Sequence, residues 1–343
     1  MQRDAPVSFA DFVLLHARLR PEKPAVIAPD RLVTYAMLAE GMRRAQVRIA
    51  RLRLAPDEPV CIAVSSPIRS LILAAALFRL GHPIVFANTP PLLVSLGLPV
   101  RTFLQDPGAS LVPGMCQAIA GEDWFGSEIA GGDGAPATGF ASTDSICCIE
   151  ITSGSTGRPK AIASTLHAHN QHVIWPSVTI NGGSWERLLC LAGLNGPWGF
   201  RLAAHVLRGG RTLVSAESAR EALQMISVYQ PDAMAASVQQ LRDMIGEQKI
   251  SPIACPSLRT IFTGGALLTR SLLAEAKAHL CNQIVVQYAS TETGAVAIGT
   301  ADNLLKIEGA TGYVLPGAEV EIVDDDHCPL AVGASGIVRM RTG

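Results

Sequence analysis

The sequence predicts an α/β fold with mostly parallel sheets, and three observations carry that prediction. Short apolar runs alternate repeatedly with helical patterns, the signature of right-handed βαβ units. A length of 343 residues with 48% hydrophobic content supplies one large or two average domains with a substantial core. Beyond Gly309 the pattern changes to short alternating strands with turns, which predicts a small antiparallel β piece at the C-terminal end.

The elements follow in order. Thr34 is placed to cap a helix running to Arg53, whose basic face meets water. Pro59–Val64 reads as a strand, Ile68–Leu80 as an apolar, Ala-rich helix, and Pro83–Ala87 as the next strand. The glycine- and alanine-rich stretch Gly126–Gly139 reads as a flexible surface crossing. Later units pair the strand Thr212–Ser215 with the helix Ala219–Tyr229, and the strand Ala233–Ala235 with a helix over about Val238–Ile245. Strands at Arg259–Phe262 and Gln283–Gln287 flank the helix Arg270–His279. There is no internal repeat or low-complexity tract.

Composition excludes several classes. Charged residues make up 17% of the chain and the formal net charge is −1, so no basic surplus points to nucleic acid. Apolar runs such as Leu71–Leu77 are too short to span a bilayer, and Met1-Gln2-Arg3-Asp4 lacks the apolar core of a secretory signal. Eight scattered cysteines are no disulfide framework; most, such as Cys61 and Cys147, sit in apolar strands and read as small buried hydrophobes in a reducing cytoplasm. Cys147 and Cys148 have no spacer between them, unlike a Cys-x-x-Cys metal or redox site.

The most informative segment is Thr152-Ser153-Gly154-Ser155-Thr156-Gly157-Arg158-Pro159-Lys160, directly after the apolar run Ile146–Ile151. Glycines let backbone approach a ligand closely, successive N–H groups can converge on phosphate oxygens, and hydroxyls and a lysine add directed donors and charge. Its spacing is not that of the P-loop, which needs four residues between its glycines and then Gly-Lys-Ser/Thr. Alone, a Ser/Thr/Gly cluster after a strand also describes an ordinary loop.

This segment resembles, at all nine positions, the phosphate-binding signature of the acyl-adenylate-forming enzymes: acyl-CoA synthetases, peptide-synthetase adenylation domains and luciferases. Further segments match in the family's order. Thr263-Gly264-Gly265-Ala266 resembles the turn beside the adenine, and Gln287-Tyr288-Ala289-Ser290-Thr291-Glu292-Thr293-Gly294 resembles the Tyr-Gly-x-Thr-Glu segment. Gly312–Gly317 and Glu319–Val338 resemble the strands that follow, while Pro21–Ala25 and Leu32–Tyr35 resemble the opening.

The resemblance implies two βαβ-type sheets, ATP and Mg²⁺ as cofactors, and a carboxylate that attacks the α-phosphorus to give an acyl-adenylate and pyrophosphate. Coenzyme A or the phosphopantetheine of an acyl carrier protein would then take the acyl group. Joining two anions makes catalysis mainly positioning and charge neutralisation. On this reading Thr152, Ser153, Gly154, Ser155, Thr156, Gly157 and Lys160 hold the β- and γ-phosphates. Gly264, Gly265, Ala266, Gln287, Tyr288, Ala289 and Ser290 line the nucleotide, with the Tyr288 ring against the adenine. Thr291 bonds the α-phosphate, and Glu292 binds Mg²⁺ through oxygen. Lys160, Thr291 and Glu292 are the catalytic candidates. Taken alone, a Thr-Glu pair after a strand reads as a helix-start cap. Ala289 stands where the family usually has glycine, a methyl group that narrows the site.

The acid pocket is expected near Leu194, Trp198 and Gly199, although Trp198 reads equally as core packing. Peptide-synthetase domains place an aspartate near here for the substrate ammonium, and Asn195–Gly199 contains no acid. A buried, unpaired ammonium is costly, so a plain aliphatic or aromatic carboxylic acid is preferred over an amino acid. His167, His169 and His172 suggest a metal, but no Cys or carboxylate is expected to complete a ligand set. Asp324-Asp325-Asp326 reads as a hairpin turn.

The expected organisation is an adenylate-forming core over residues 1–308 and a β subdomain over 309–343. The family's ribose-gripping aspartate, hinge and lysine-bearing C-terminal domain are not found in the sequence. The chain therefore reads as the large N-terminal part of an acid–thiol ligase. The alternative is a non-catalytic or partner-dependent homologue that binds nucleotide or acyl groups.

Overall fold

The computed structural model describes residues 6–86, 90–110, 114–125, 138–152, 159–179, 185–307 and 310–342. The stretch 126–137 of the expected surface crossing lies outside them. The chain forms two compact units, one of Met1–Ile174 with Ala192–Ser215, the other of Trp175–Leu191 with Ala216–Gly343.

Helix α1 (Phe9–Leu19) opens the chain, followed by strands β1 (Pro24–Ala28) and β2 (Arg31–Thr34). Helix α2 (Tyr35–Ala50) starts where its cap predicts, the Thr34 hydroxyl accepting from the Met37 N–H at 3.2 Å. It stops before the expected Arg53 because Arg53 takes a left-handed φ of 51°. There follow β3 (Val60–Ala63), α3 (Pro67–Leu80), β4 (Ile84–Phe86), α4 (Pro90–Ser95), β5 (Thr102–Gln105) and β6 (Cys116–Ile119). Helix α3 is apolar on nearly every face because it is enclosed, with Leu71–Phe78 all buried.

Strands β7 (Ile146–Thr152) and β8 (Lys160–Thr165) pair antiparallel, with Thr152 opposite Lys160. The segment after the glycine–hydroxyl motif is thus a strand before the chain enters α5 (Leu166–Thr179), which carries His167, His169 and His172. The first unit's larger sheet runs β6-β5-β3-β4-β7-β8, parallel except for its last pair. Side chains alternate faces along a strand. On β7, Ile149 packs into the cluster of Cys61, Val85 and Phe103, whereas Glu150 points the other way to Arg201 of α6 (Pro197–Arg208).

Strand β9 (Arg187–Cys190) precedes α6 and belongs to the second unit; β10 (Thr212–Ser215) follows α6 and pairs parallel with β1 in the first. In the second unit come α7 (Ala219–Tyr229), β11 (Ala233–Ala235), α8 (Val238–Ile250), β12 (Thr260–Gly264), α9 (Arg270–His279), β13 (Gln283–Ser290), β14 (Gly294–Thr300), α10 (Ala301–Leu304) and β15 (Tyr313–Val314). Its strands run β15-β14-β13-β12-β11-β9, with β9, β11, β12 and β13 parallel and the remainder antiparallel. Helix α8 outruns its expected end at Ile245 because the Gln248 side chain is buried, bonding the Ile253 backbone and the His279 carbonyl. The C-terminal β piece is the antiparallel hairpin of β16 (Ala318–Val323) and β17 (Ile337–Thr342). At its start Asp324 accepts from the Cys328 N–H at 2.8 Å, a turn-forming bond.

Candidate active site

In the first unit, β7 delivers Thr152, half-buried, to the start of the glycine–hydroxyl segment, and β8 begins at Lys160, which is exposed. Ser153, Gly154, Ser155, Thr156 and Gly157 lie outside the described residues. Behind Thr152, on the same strand face, the Glu150 carboxylate pairs with the Arg201 guanidinium, both side chains almost wholly buried. Sequence reading missed this pair. Its signal was available: a lone acid inside the apolar run Ile146–Ile151 must find a buried partner.

Helix α6 carries the expected pocket residues. Gly196 is its N-cap and Pro197 its first residue, the position where a missing N–H costs nothing. Leu194 is buried and Trp198 half-buried. A Cβ on Gly199 would lie 2.2 Å from the Gly193 carbonyl oxygen, so its glycine is explained by the backbone crossing there. One turn and a half on, His205 Nδ1 lies 2.7 Å from the Val173 carbonyl. Burial lowers its pKa to about 4, so the ring is neutral and Nδ1–H donates.

In the second unit the Gly264 and Tyr288 segments are brought together. Strands β12 and β13 pair in parallel with Gly264 opposite Gln287. A Cβ on Gly264 would sit 2.7 Å from the Gln287 carbonyl oxygen, so only glycine permits this approach. Gly265 then turns with φ +81°. Gly265, Ala266, Gln287, Tyr288 and Ala289 together line a cavity of about 450 Å³, whose apolar wall is Leu273, Leu304, Leu305 and Ile307. That volume falls within the range of small-molecule sites. A β-bulge between Tyr288 and Ala289 re-aims successive side chains at the cavity edge.

Thr291, Glu292 and Thr293 form the tight connection between β13 and β14, which pair antiparallel up to Ser290 opposite Gly294. The Thr293 N–H donates to the Ser290 hydroxyl at 3.2 Å, and the Thr342 hydroxyl donates to the Thr293 carbonyl at 3.2 Å. The Thr-Glu pair therefore caps no helix. Thr291 is half-buried, and Glu292 is exposed.

The histidines separate. His167 is exposed and His172 half-buried, while His169 is buried with burial lowering its pKa to about 3. The expectation that no cysteine accompanies them is corrected. Cys148 Sγ lies 3.8 Å from His169 Nδ1. The strand–helix packing creates this proximity across 21 residues.

Comparison with solved structures bears on the fold. The fold is similar to that of o-succinylbenzoate coenzyme A synthetase from Bacillus subtilis, solved with ATP and magnesium: TM-score 0.85, 19% identity, 96% of this chain and 70% of that one. It is also similar to the N-terminal domain of FACL13 from Mycobacterium tuberculosis, with TM-score 0.85 and 19% identity over 98% of this chain and 89% of that domain. Among curated proteins, a 2-succinylbenzoate–CoA ligase from Bacillus velezensis is 26% identical over 92% of this chain and 66% of its own length. A fatty acid–[acyl-carrier-protein] ligase from Streptomyces coeruleorubidus is 25% identical over 95% of this chain and 67% of its own. The chain thus spans about two thirds of the length of these relatives. The family model for AMP-binding enzymes matches residues 108–342, and the chain belongs to that family.

Proposed function

We propose that this chain carries the core of an ATP-dependent acid–thiol ligase that activates a carboxylic acid as its acyl-adenylate. The observation that carries the reading is the cavity shared by Gly265, Ala266, Gln287, Tyr288 and Ala289, segments that sequence resemblance assigns to one nucleotide. Tyr288 would lie against the adenine with its ring face, and the apolar wall would exclude water from the base. Lys160, exposed at the start of β8, would neutralise the β- and γ-phosphates beside Thr152 and the residues 153–157. The exposed Glu292 carboxylate is the oxygen ligand a hard cation requires, so it fits Mg²⁺, which when bound screens the polyphosphate charge. Thr291 would orient the α-phosphate for the incoming carboxylate oxygen, whose attack expels pyrophosphate.

The acid would lie near Leu194 and Trp198. With no carboxylate among residues 195–199, a plain aliphatic or aromatic acid is preferred to an amino acid. The acceptor would be the thiol of coenzyme A or of a carrier-protein phosphopantetheine. None of the eight cysteines forms a disulfide, which supports a reducing, cytoplasmic setting. Among the described residues no helix is long and apolar enough to cross a membrane.

The second reading, nucleotide binding without adenylation, is favoured by Ala289, whose methyl group borders the same cavity. Calorimetric titration of ATP with Mg²⁺, followed by pyrophosphate exchange over a panel of carboxylic acids, separates the two. Acid-dependent exchange, or nucleotide binding that a carboxylic acid tightens, supports the ligase, and nucleotide binding that no acid alters supports the second reading. No binding of ATP or AMP at millimolar concentration overturns both.

A further inference from the structure

Adjacent residues in a regular strand point to opposite faces, so neighbouring cysteines ordinarily cannot serve one site. In β7 the pairing register with β8 shifts between Ile146 and Cys148, and such a bulge turns successive side chains toward one side. Cys147 and Cys148 are both buried, and their Sγ atoms lie 3.8 Å apart. From α5, His169 brings Nδ1 to 3.8 Å from Cys148 Sγ. One ligand atom from each residue lies within 4.8 Å of the others.

Those separations carry chemical information. Thiolate and imidazole ligands about 2.3 and 2.0 Å from one ion, at tetrahedral to trigonal angles, are about 3.5–4 Å from each other. The Cys147–Cys148 and Cys148–His169 separations match those values, and the third pair of ligand atoms lies within 4.8 Å. We propose that Cys147, Cys148 and His169 form a buried S₂N site for one thiophilic cation, Zn²⁺ or Cu⁺.

The donor set excludes Mg²⁺ and Ca²⁺, which require oxygen, so the site is chemically distinct from the one proposed at Glu292. Binding forms two metal–sulfur bonds and one metal–nitrogen bond while each thiol releases its proton to solvent. With Zn²⁺ the two thiolates cancel the ion's charge, and no net charge enters the core. His169 keeps its ring proton on Nε2, and its ring sits 5.5 Å from the ring centroids of both Phe78 and Phe200. Because the three groups are enclosed, the ion would load as the chain folds. Four residues beyond Cys148 the strand ends at Thr152, so an occupied site would stiffen the approach to the glycine–hydroxyl segment. The geometry stands independently of the ligase reading.

The test is metal content by mass spectrometry, after refolding from denaturant with excess Zn²⁺, or with Cu⁺ under anaerobic reducing conditions, and then gel filtration. Retention of about one equivalent of either ion is expected, and the ion retained distinguishes the two. Refolding with Co²⁺ should give thiolate-to-metal charge-transfer absorption, reduced by about half in Cys147→Ser or Cys148→Ser. The double variant Cys147→Val with Cys148→Val, which keeps the core apolar, should retain no metal at unchanged far-ultraviolet circular dichroism. Wild-type retention below a tenth of an equivalent for both ions, or full retention by the double variant, overturns the proposal. The wild-type measurement decides even where a variant fails to fold.

Discussion

Replacing Glu150 by methionine removes one partner of a buried ion pair and leaves the Arg201 charge in the core. Both side chains are at most one-tenth exposed, so solvent neither screens the pair strongly nor compensates its loss. Breaking such a pair costs about 3–5 kcal/mol, because the remaining charge keeps its full desolvation penalty. For a unit of roughly 200 residues, each kcal/mol lowers Tm by about 2–4 °C, so Glu150→Met should lower it by about 6–20 °C. The matched pair Glu150→Met with Arg201→Met removes both charges at similar volume and should recover most of that loss, ending within about 1–2 kcal/mol of the parent. The assay is urea unfolding followed by tryptophan fluorescence and circular dichroism, with all four corners of the cycle measured. If Glu150→Met costs less than about 1 kcal/mol, or the double variant is no more stable than the single, the pair is not the buried, coupled element described.

Other outcomes follow from the same geometry. Gly264→Ala places a methyl 2.7 Å from the Gln287 carbonyl oxygen, forcing β12 and β13 apart; a loss of about 1–3 kcal/mol in urea unfolding is expected, with weakened ATP binding. Lys160→Ala should weaken Mg–ATP binding by about 10-fold or more in calorimetry, the value of a charge-assisted bond, with little change in Tm because the side chain is exposed. His169 and His205 titrate near 3 and 4 when folded and near 6.5 when unfolded. The unfolded chain therefore binds more protons between those values. Stability should fall as pH drops from about 6.5 toward 4, by up to about 1.4 kcal/mol per unit for each histidine. His205→Gln should flatten the pH dependence of Tm in that window, and an unchanged slope would show that the ring is not held neutral.

Most of the local structure can be read along the chain. Helix α7, helix α9 and strands β10 and β11 fall at the boundaries that periodicity and capping predict, because apolar spacing and Ser or Thr caps act within a few residues. The nine-residue glycine–hydroxyl–lysine segment and the order of motifs behind it placed the chain in its family. Tertiary structure decided everything that depends on residues far apart in the chain. It set Gly265 and Tyr288 around one cavity, gave Glu150 the partner its burial demands, and lengthened β12 and β13 by strand pairing. It also placed two adjacent cysteines beside His169, through a bulge that no local pattern announces. The physical reason is range. Helix propensity and capping are settled by neighbours along the chain, whereas cavities, buried charge pairs and register shifts exist only once separate segments pack and exclude water.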